Sequence, residues 1–334
     1  MILPNTYVAA LILSLISMLC WGSWANTFKL TKKWRFELFY FDYTFGLLLA
    51  SLLAAFTFGS IGDGMTFADN FDIAGKRQMA YAMAGGAVFN LANMLLVAAI
   101  SLAGMSVAFP IGIGLALVIG VVFNYLIAPA GNPLLLFGGA FLVVLAILVD
   151  ALAYARHAAM KGSLQATNIK GLALSVGAGI LMGAFYPLVQ MSTTSEIGLG
   201  PYSVGVMFAI GVTLTTFVFN LYFMNLPVQG PPVPLSAYFS GSVRNHLLGV
   251  LGGAVWFAGA CTNFVAAATP PPANVGPAVS YALGQGATMI SALWGLLVWK
   301  EFKGANRQTT ILLVIMMLLF LAGLGMISVA PIIK

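Results

Sequence analysis

Residues 85–125 read GGAVFNLANMLLVAAI, then SLAGMSV, then AFPIGIGLALVIGVVFNY. Residues 252–269 read GGAVWFAGACTNFVAAAT, and 275–299 read VGPAVSYALGQGATMISALWGLLVW. Shifting the first stretch by 167 positions lays Gly85, Gly86, Ala87 and Val88 on Gly252, Gly253, Ala254 and Val255. The same shift lays Phe89 on Trp256, Ala99 on Ala266 and Pro110 on Pro277. A constant offset through two apolar segments and their joining loop reads as an internal duplication. It also predicts two matching hairpins with very short loops.

The rest of the chain fits that reading. Of 334 residues, 61% are hydrophobic and 7% are charged, whereas a soluble domain carries about 25% charged residues. So few charges cannot clothe a surface in water, which implies an all-α integral membrane protein. A membrane barrel is disfavoured, because barrel strands alternate polar and apolar residues and these runs are continuous. Only Met1 to Thr6 precede the first run, without a basic residue, so that run is expected to stay as a membrane helix. Ten runs are long enough to span: roughly 6–28, 38–59, 77–101, 104–128, 133–154, 169–190, 201–224, 246–268, 273–299 and 308–331.

The duplication divides these spans into two five-helix halves, 1–160 and 161–334. WGSW at Trp21–Trp24 then pairs with MGAF at Met182–Phe185. An odd number of spans per half inserts the second copy upside down, giving a 5+5 inverted repeat with its solute site between the halves. Eleven basic residues fall on one side: Lys29, Lys32, Lys33, Arg35, Arg156, Lys161, Lys170, Arg244, Lys300, Lys303 and Arg307. Lys76, Arg77 and Lys334 fall on the other, with Asp63, Asp69, Asp72 and Glu196. The positive-inside rule places both termini outside a plasma (inner) membrane.

Polar residues at mid-helix depth are candidates for a solute site, since an amide facing lipid is costly. Asn90 and Asn93 share a face of the third span with Gly86. Either they line a cavity or they hold helices together. Trp256, Ala260 and Asn263 share a face of the eighth span, and Tyr281, Gln285 and Thr288 share one of the ninth. A row of small residues, Gly276, Ser280 and Gly284, runs beside the latter. The first span offers Trp21, Trp24 and Asn26, and the sixth Phe185, Tyr186 and Gln190. Pro110, Pro187 and Pro277 are candidate gating points, because proline removes a helical donor. Asp42 is read as opening the second span, as a cap or as the acid of a proton-coupled carrier. Asp150 is read near the end of the fifth span, and His157 and His246 in loops. Cys20 and Cys261 read as packing residues without a disulfide. No metal or cofactor site is expected, no catalytic constellation falls within the spans, and nothing suggests a nucleic-acid partner.

The stretches WGSW, FDYT (Phe41–Thr44), AMAGGAVFNLAN (Ala82–Asn93), AGMSV (Ala103–Val107) and VIGVVFNYL (Val118–Leu126), in that order and spacing, resemble the drug/metabolite transporter superfamily. Within it they are most similar to the ureide permeases of plants and their bacterial relatives. Residues 280–304, SYALGQGATMISALWGLLVWKEFKG, are equally similar to bacterial glucose and rhamnose uptake proteins. The plant members' long central loop with a phosphate-loop-like motif has only a short counterpart here, between Tyr154 and Asn168. The resemblance implies a permease, not an enzyme, acting by alternating access. No charged residue sits at the centre of a span, so the expected solute is small, polar and uncharged. A nucleobase or ureide is the first expectation and a sugar the alternative. Proton and sodium both remain open as coupling ions, and monomer and homodimer as assemblies.

Overall fold

A computed structural model describes residues 1–32, 34–62, 64–162, 169–228, 230–271 and 273–333. Among them ten helices are long and apolar enough to cross a membrane. They are α1 (Tyr7–Lys29), α2 (Phe36–Phe56), α3 (Lys76–Ala103), α4 (Met105–Ile127) and α5 (Pro133–Met160). The second set is α6 (Ile169–Thr193), α7 (Pro201–Asn225), α8 (Val243–Ala267), α9 (Pro277–Val298) and α10 (Arg307–Val329). Their starts carry local signals. Thr6 accepts from the Ala9 amide, and Asn132 accepts from Leu134 with Pro133 at the first helical position. Ser242 and Asn306 cap α8 and α10 in the same way. Large apolar side chains such as Leu134, Phe141, Leu318 and Leu321 remain exposed on the outer helices, where lipid is their solvent.

The helices pack in matched pairs. α3 lies on α6 and α7, and α8 lies on α1 and α2. α4 lies on α6 and α5, and α9 lies on α1 and α10. α2 packs on α7, α4 on α9 and α5 on α10. Adding or subtracting five in the helix number turns each of these contacts into another of them or into itself, while the packing of α7 on α6 and on α8 departs from the pattern.

Glycines set the closest approaches between helix backbones. A Cβ on Gly253 would run into the carbonyl oxygen of Tyr43 on α2, and a Cβ on Gly86 into that of Phe208 on α7. Only residues without a side chain let backbones come this near. Gly46 and Gly211 face them from α2 and α7 under the same restriction.

The joining loops depart from expectation. Gly104 alone, at φ 78°, separates α3 from α4, whereas residues 268–276 separate α8 from α9. The constant offset therefore describes α3 and α8 but not their loops. Pro110 lies inside α4, while Pro277 is the first residue of α9, where its missing donor is one no helix uses. α9 is also interrupted: it runs Pro277–Gln285, then Ala287–Leu293, then a π turn Trp294–Val298. Gly286, at the break, ends the turn that would have carried one continuous Tyr281–Gln285–Thr288 face.

The chain alternates ends of the bundle. One end, here the terminal end, gathers both termini: the Met1 amino group donates to the Met65 carbonyl, and the Asn132 amide to Ala330. The opposite end, the basic end, carries Lys29, Lys32, Arg35, Arg156, Lys161, Lys170, Arg244, Lys300, Lys303 and Arg307. Lys33, Asp63 and Lys334 lie outside the described residues.

Candidate functional site

An aromatic layer fills the middle of the bundle. Trp256 of α8 stacks on Trp21 at 5.8 Å and on Phe208 at 5.7 Å, and meets Phe89 at 4.3 Å. Phe185 joins Phe89 at 5.4 Å and Tyr281 at 6.1 Å, and Tyr186 lies 5.0 Å from Tyr281. Six helices contribute rings, so the layer closes the centre between the halves.

Two tyrosine–asparagine pairs flank this layer, one between α6 and α8 and one between α2 and α3. The Tyr186 hydroxyl donates to Asn263 Oδ1 at 2.5 Å. Asn263 Nδ2 donates to Ser17 Oγ at 3.1 Å and to the Ser280 carbonyl at 2.9 Å, and the Ser280 hydroxyl returns to the Asn263 carbonyl. The other pair is Asn93 Nδ2 donating to the Tyr40 hydroxyl at 3.1 Å. All four side chains are buried.

Above Tyr186, at the terminal end, opens a cavity of about 550 Å³. Tyr186, Val189, Gln190 and Thr193 of α6 form one wall, Val204 of α7 and Phe264 of α8 face them, and Asn70, Glu196 and residues 198–201 rim it. Asn70 is fixed by bonds to the Gly200 amide and the Gly198 carbonyl. Gln190 stands one turn beyond Tyr186, so an amide and a phenol line the same wall. Pockets of 300–1,000 Å³ suit small solutes.

The predicted residues separate into groups. Tyr186, Trp256 and Tyr281 belong to the layer and Asn263 is bonded to Tyr186, and of the four Tyr186 is the one that lines the cavity. The Tyr281 hydroxyl, however, is held 3.1 and 3.2 Å from the carbonyls of Ala116 and Met182. Asn90 does not join them. It donates to the Val212 carbonyl and to the hydroxyls of Thr215 and Thr216, tying α3 to α7. Gln285 is buried at the break in α9. Trp24 sits between the two pieces of α1 with its ring 4.9 Å from Tyr43. Pro187 lies inside α6, directly after Tyr186.

Asp42 corrects the sequence reading. It does not open α2, which begins six residues earlier; it lies in the helix, buried. Its carboxylate accepts from the Tyr238 hydroxyl at 2.5 Å and meets His246 Nδ1 at 2.8 Å. His246 lies in α8 and His157 in α5, so neither is in a loop. Burial, and then the Asp42 carboxylate, raise the Tyr238 phenol above its ordinary range, so it remains a donor. The sequence carried no signal for this cluster, because its members lie about 200 residues apart.

At the basic end α1 is fastened to the last turn of α9 and to the segment after it. Lys29 pairs with Glu301, whose other oxygen accepts from Tyr154 at 2.6 Å. Trp299 donates to Asn26 Oδ1 at 2.6 Å, and Trp294 to Ser23 Oγ at 2.9 Å. Burial alone would raise the Glu301 carboxyl's proton affinity. Hydrogen bonds from Lys29 and Tyr154 and the lysine charge outweigh it and hold the group below the usual carboxylate range.

Comparison with known proteins agrees with this architecture. The sequence model described as ureide permease matches residues 39–168, from α2 to beyond the end of α5. Ureide permease 1 of Arabidopsis thaliana is 24% identical, with 94% of each chain covered. Ureide permease 2 of the same plant is 23% identical, with 96% of each covered. A probable ureide permease A3 of Vigna unguiculata is 23% identical over 81% of this chain and 89% of its own. A crystal structure of a protein superposes on 96% of both chains with a TM-score of 0.63 at 15% identity, a likeness of fold. The chain is thus similar along nearly its whole length to ureide permeases, with the family model concentrated on the first half.

Proposed function

We propose that this chain is a membrane permease for a small neutral nitrogenous solute, a ureide or a nucleobase. The two five-helix halves form an inverted repeat that exposes the solute path to each side in turn. The observation that carries the reading is the cavity that ends on Tyr186, backed by the aromatic layer. Its inner wall offers a phenol, an amide and a phenyl ring, and the one carboxylate among its described residues, Glu196, stands at the rim. Such a wall favours a flat, uncharged solute with hydrogen-bonding edges. The matched helix contacts and the paired roles of Gly86 and Gly253 support the repeat. The names of the relatives support the solute class.

Transport is tested with purified protein in proteoliposomes, offered labelled allantoin, uracil, glucose and rhamnose separately. Uptake of allantoin or uracil is expected. Uptake of a sugar alone would replace the reading with the sugar alternative, and binding without uptake would remove it. The excess of basic residues at one end supports an orientation with both termini outside the plasma membrane. A C-terminal reporter active only in the cytoplasm should then be silent, and a strong signal would invert the topology. Asp42, held by His246 and Tyr238, is the acid assigned to proton coupling. Gradient-driven accumulation unchanged in Asp42→Asn would remove it from that role.

A further inference from the structure

A second cavity, of about 410 Å³, opens at the basic end between α2, α3 and α7. Phe36 and Phe223 supply rings, and Met94, Val97 and Ala98 supply an apolar wall. Arg35 and Glu37 stand at its edge, joined by bonds of 2.6 and 3.1 Å, so their charges cancel. Ser101 of α3 and Asn220 of α7 bring polar side chains to its wall, and Asn220 is fully buried. Its Nδ2 is taken by the Glu37 carbonyl at 2.6 Å, while its Oδ1 has no hydrogen-bond partner among the described residues. A buried acceptor left unmade is costly, so the arrangement calls for a donor from whatever enters. The cavity also leads inward to a known pair: Phe36 packs 5.1 Å from Tyr40, and Met94 follows Asn93. The Tyr40–Asn93 pair thus lies just behind its wall, whereas Tyr186 lines the first cavity itself.

We infer that this cavity is a second binding station for the same neutral solute, on the basic-end side of the aromatic layer. An N–H of the solute donates to Asn220 Oδ1, and its flat face lies against Phe36 and Phe223. The inference rests on the permease reading above and adds the place from which solute leaves, or enters, at the basic end.

The test places one cysteine in each cavity, Val97→Cys at the basic end and Thr193→Cys at the terminal end. Membrane vesicles of both orientations are labelled with an impermeant maleimide, with and without allantoin or uracil. Solute is expected to slow labelling at both positions. Adding Asn220→Leu should raise the solute concentration that half-protects Val97→Cys by about 2- to 12-fold, the worth of one neutral hydrogen bond. The half-protecting concentration at Thr193→Cys should stay the same. Protection at Thr193→Cys alone overturns the second station and leaves the permease reading standing. Protection at neither position overturns both. Equal protection at Val97→Cys with and without Asn220→Leu removes Asn220 as the acceptor. The Val97→Cys result needs no change at Asn220, so it stands even where the leucine variant misfolds.

Discussion

The two ends of the bundle use the same helix pairs and close differently. At the basic end, α1 is tied to the last turn of α9 through Ser23–Trp294 and to the segment that follows it through Lys29–Glu301 and Asn26–Trp299. Adding five to α1 gives α6, and the counterpart tie would hold the end of α6 to the turn after α4, residues 128–132. There the end of α6, Val189 to Thr193, instead lines the 550 Å³ cavity. The same packing scheme thus carries one end where α1 is fastened and one where α6 lines a cavity, while a cavity opens at each end. Under the permease reading proposed above, a difference in fastenings between the ends is what would let an alternating carrier slide shared helix pairs.

The largest effect is expected where the two halves depend on the shared packing. Gly253→Ala pushes a methyl group into the Tyr43 carbonyl, and Gly86→Ala pushes one into that of Phe208. Overpacking of this kind costs roughly 1–3 kcal/mol or more, and backbone cannot swing aside as a side chain can. Both variants should lose most folded protein in a detergent melting assay. Gly114→Ala and Gly325→Ala, with no atom within 4 Å of the new methyl group, should melt like wild type. Tolerance of either interface variant would break the equivalence of α3 with α8.

A smaller effect separates the two tyrosine–asparagine pairs. Asn263→Leu strands the Tyr186 hydroxyl and leaves Ser17 without the Asn263 donor. Asn93→Leu strands only the Tyr40 hydroxyl. At about 1–3 kcal/mol for each buried group left unpaired, Asn263→Leu should lower the melting temperature further than Asn93→Leu. It should also weaken solute protection at the terminal end, while Asn93→Leu weakens it at the basic end. Equal losses at both ends from either variant would merge the two pairs into one site.

Much of this was legible in the chain and some was hidden for physical reasons. The ten spans follow from apolar runs longer than a bilayer core, and their order survives intact. The start of α2 was misread because Lys32, Arg35 and Glu37 look like loop. In fact Arg35 and Glu37 pair with each other at the helix entrance, so Asp42 lies inside. His246 was misread for the mirror reason: Ser242 caps α8 early, and Arg244 rides on its first turn. Asn90 and Asn93 share a helical face, but α2 and α7 both pack near α3, and each amide turned to a different neighbour. Spacing on one helix cannot reveal which neighbour stands opposite. The Tyr186–Gln190 wall was visible as an i, i+4 pair, whereas Asn220 is one asparagine in an apolar run and only its unpaired oxygen marks it.

The smallest expected effect concerns the fastening itself. Lys29 and Glu301 are partly exposed, so the pair contributes only about 0.2–1 kcal/mol. Its pH dependence is nevertheless specific. The Glu301 carboxyl is depressed in the folded protein, so the stabilisation is present above the unfolded carboxylate range and lost as pH falls through the folded value. Glu301→Gln keeps the shape and the acceptor for Tyr154 but removes the charge. Wild type should therefore melt slightly higher than Glu301→Gln at pH 7. The gap should shrink as pH falls below the usual carboxylate range and vanish once the folded carboxyl is protonated. If the fastening holds the basic end shut, the same variant should also speed maleimide labelling of Val97→Cys, by up to about 5-fold for a loss of 1 kcal/mol. Labelling of Thr193→Cys should slow, because a population moved toward the basic-end-open state leaves fewer molecules open at the terminal end. A melting gap that ignores pH would show that Lys29 and Glu301 interact as neutral neighbours. Faster labelling at both cysteines would mean that the substitution loosens the bundle as a whole and does not release one end.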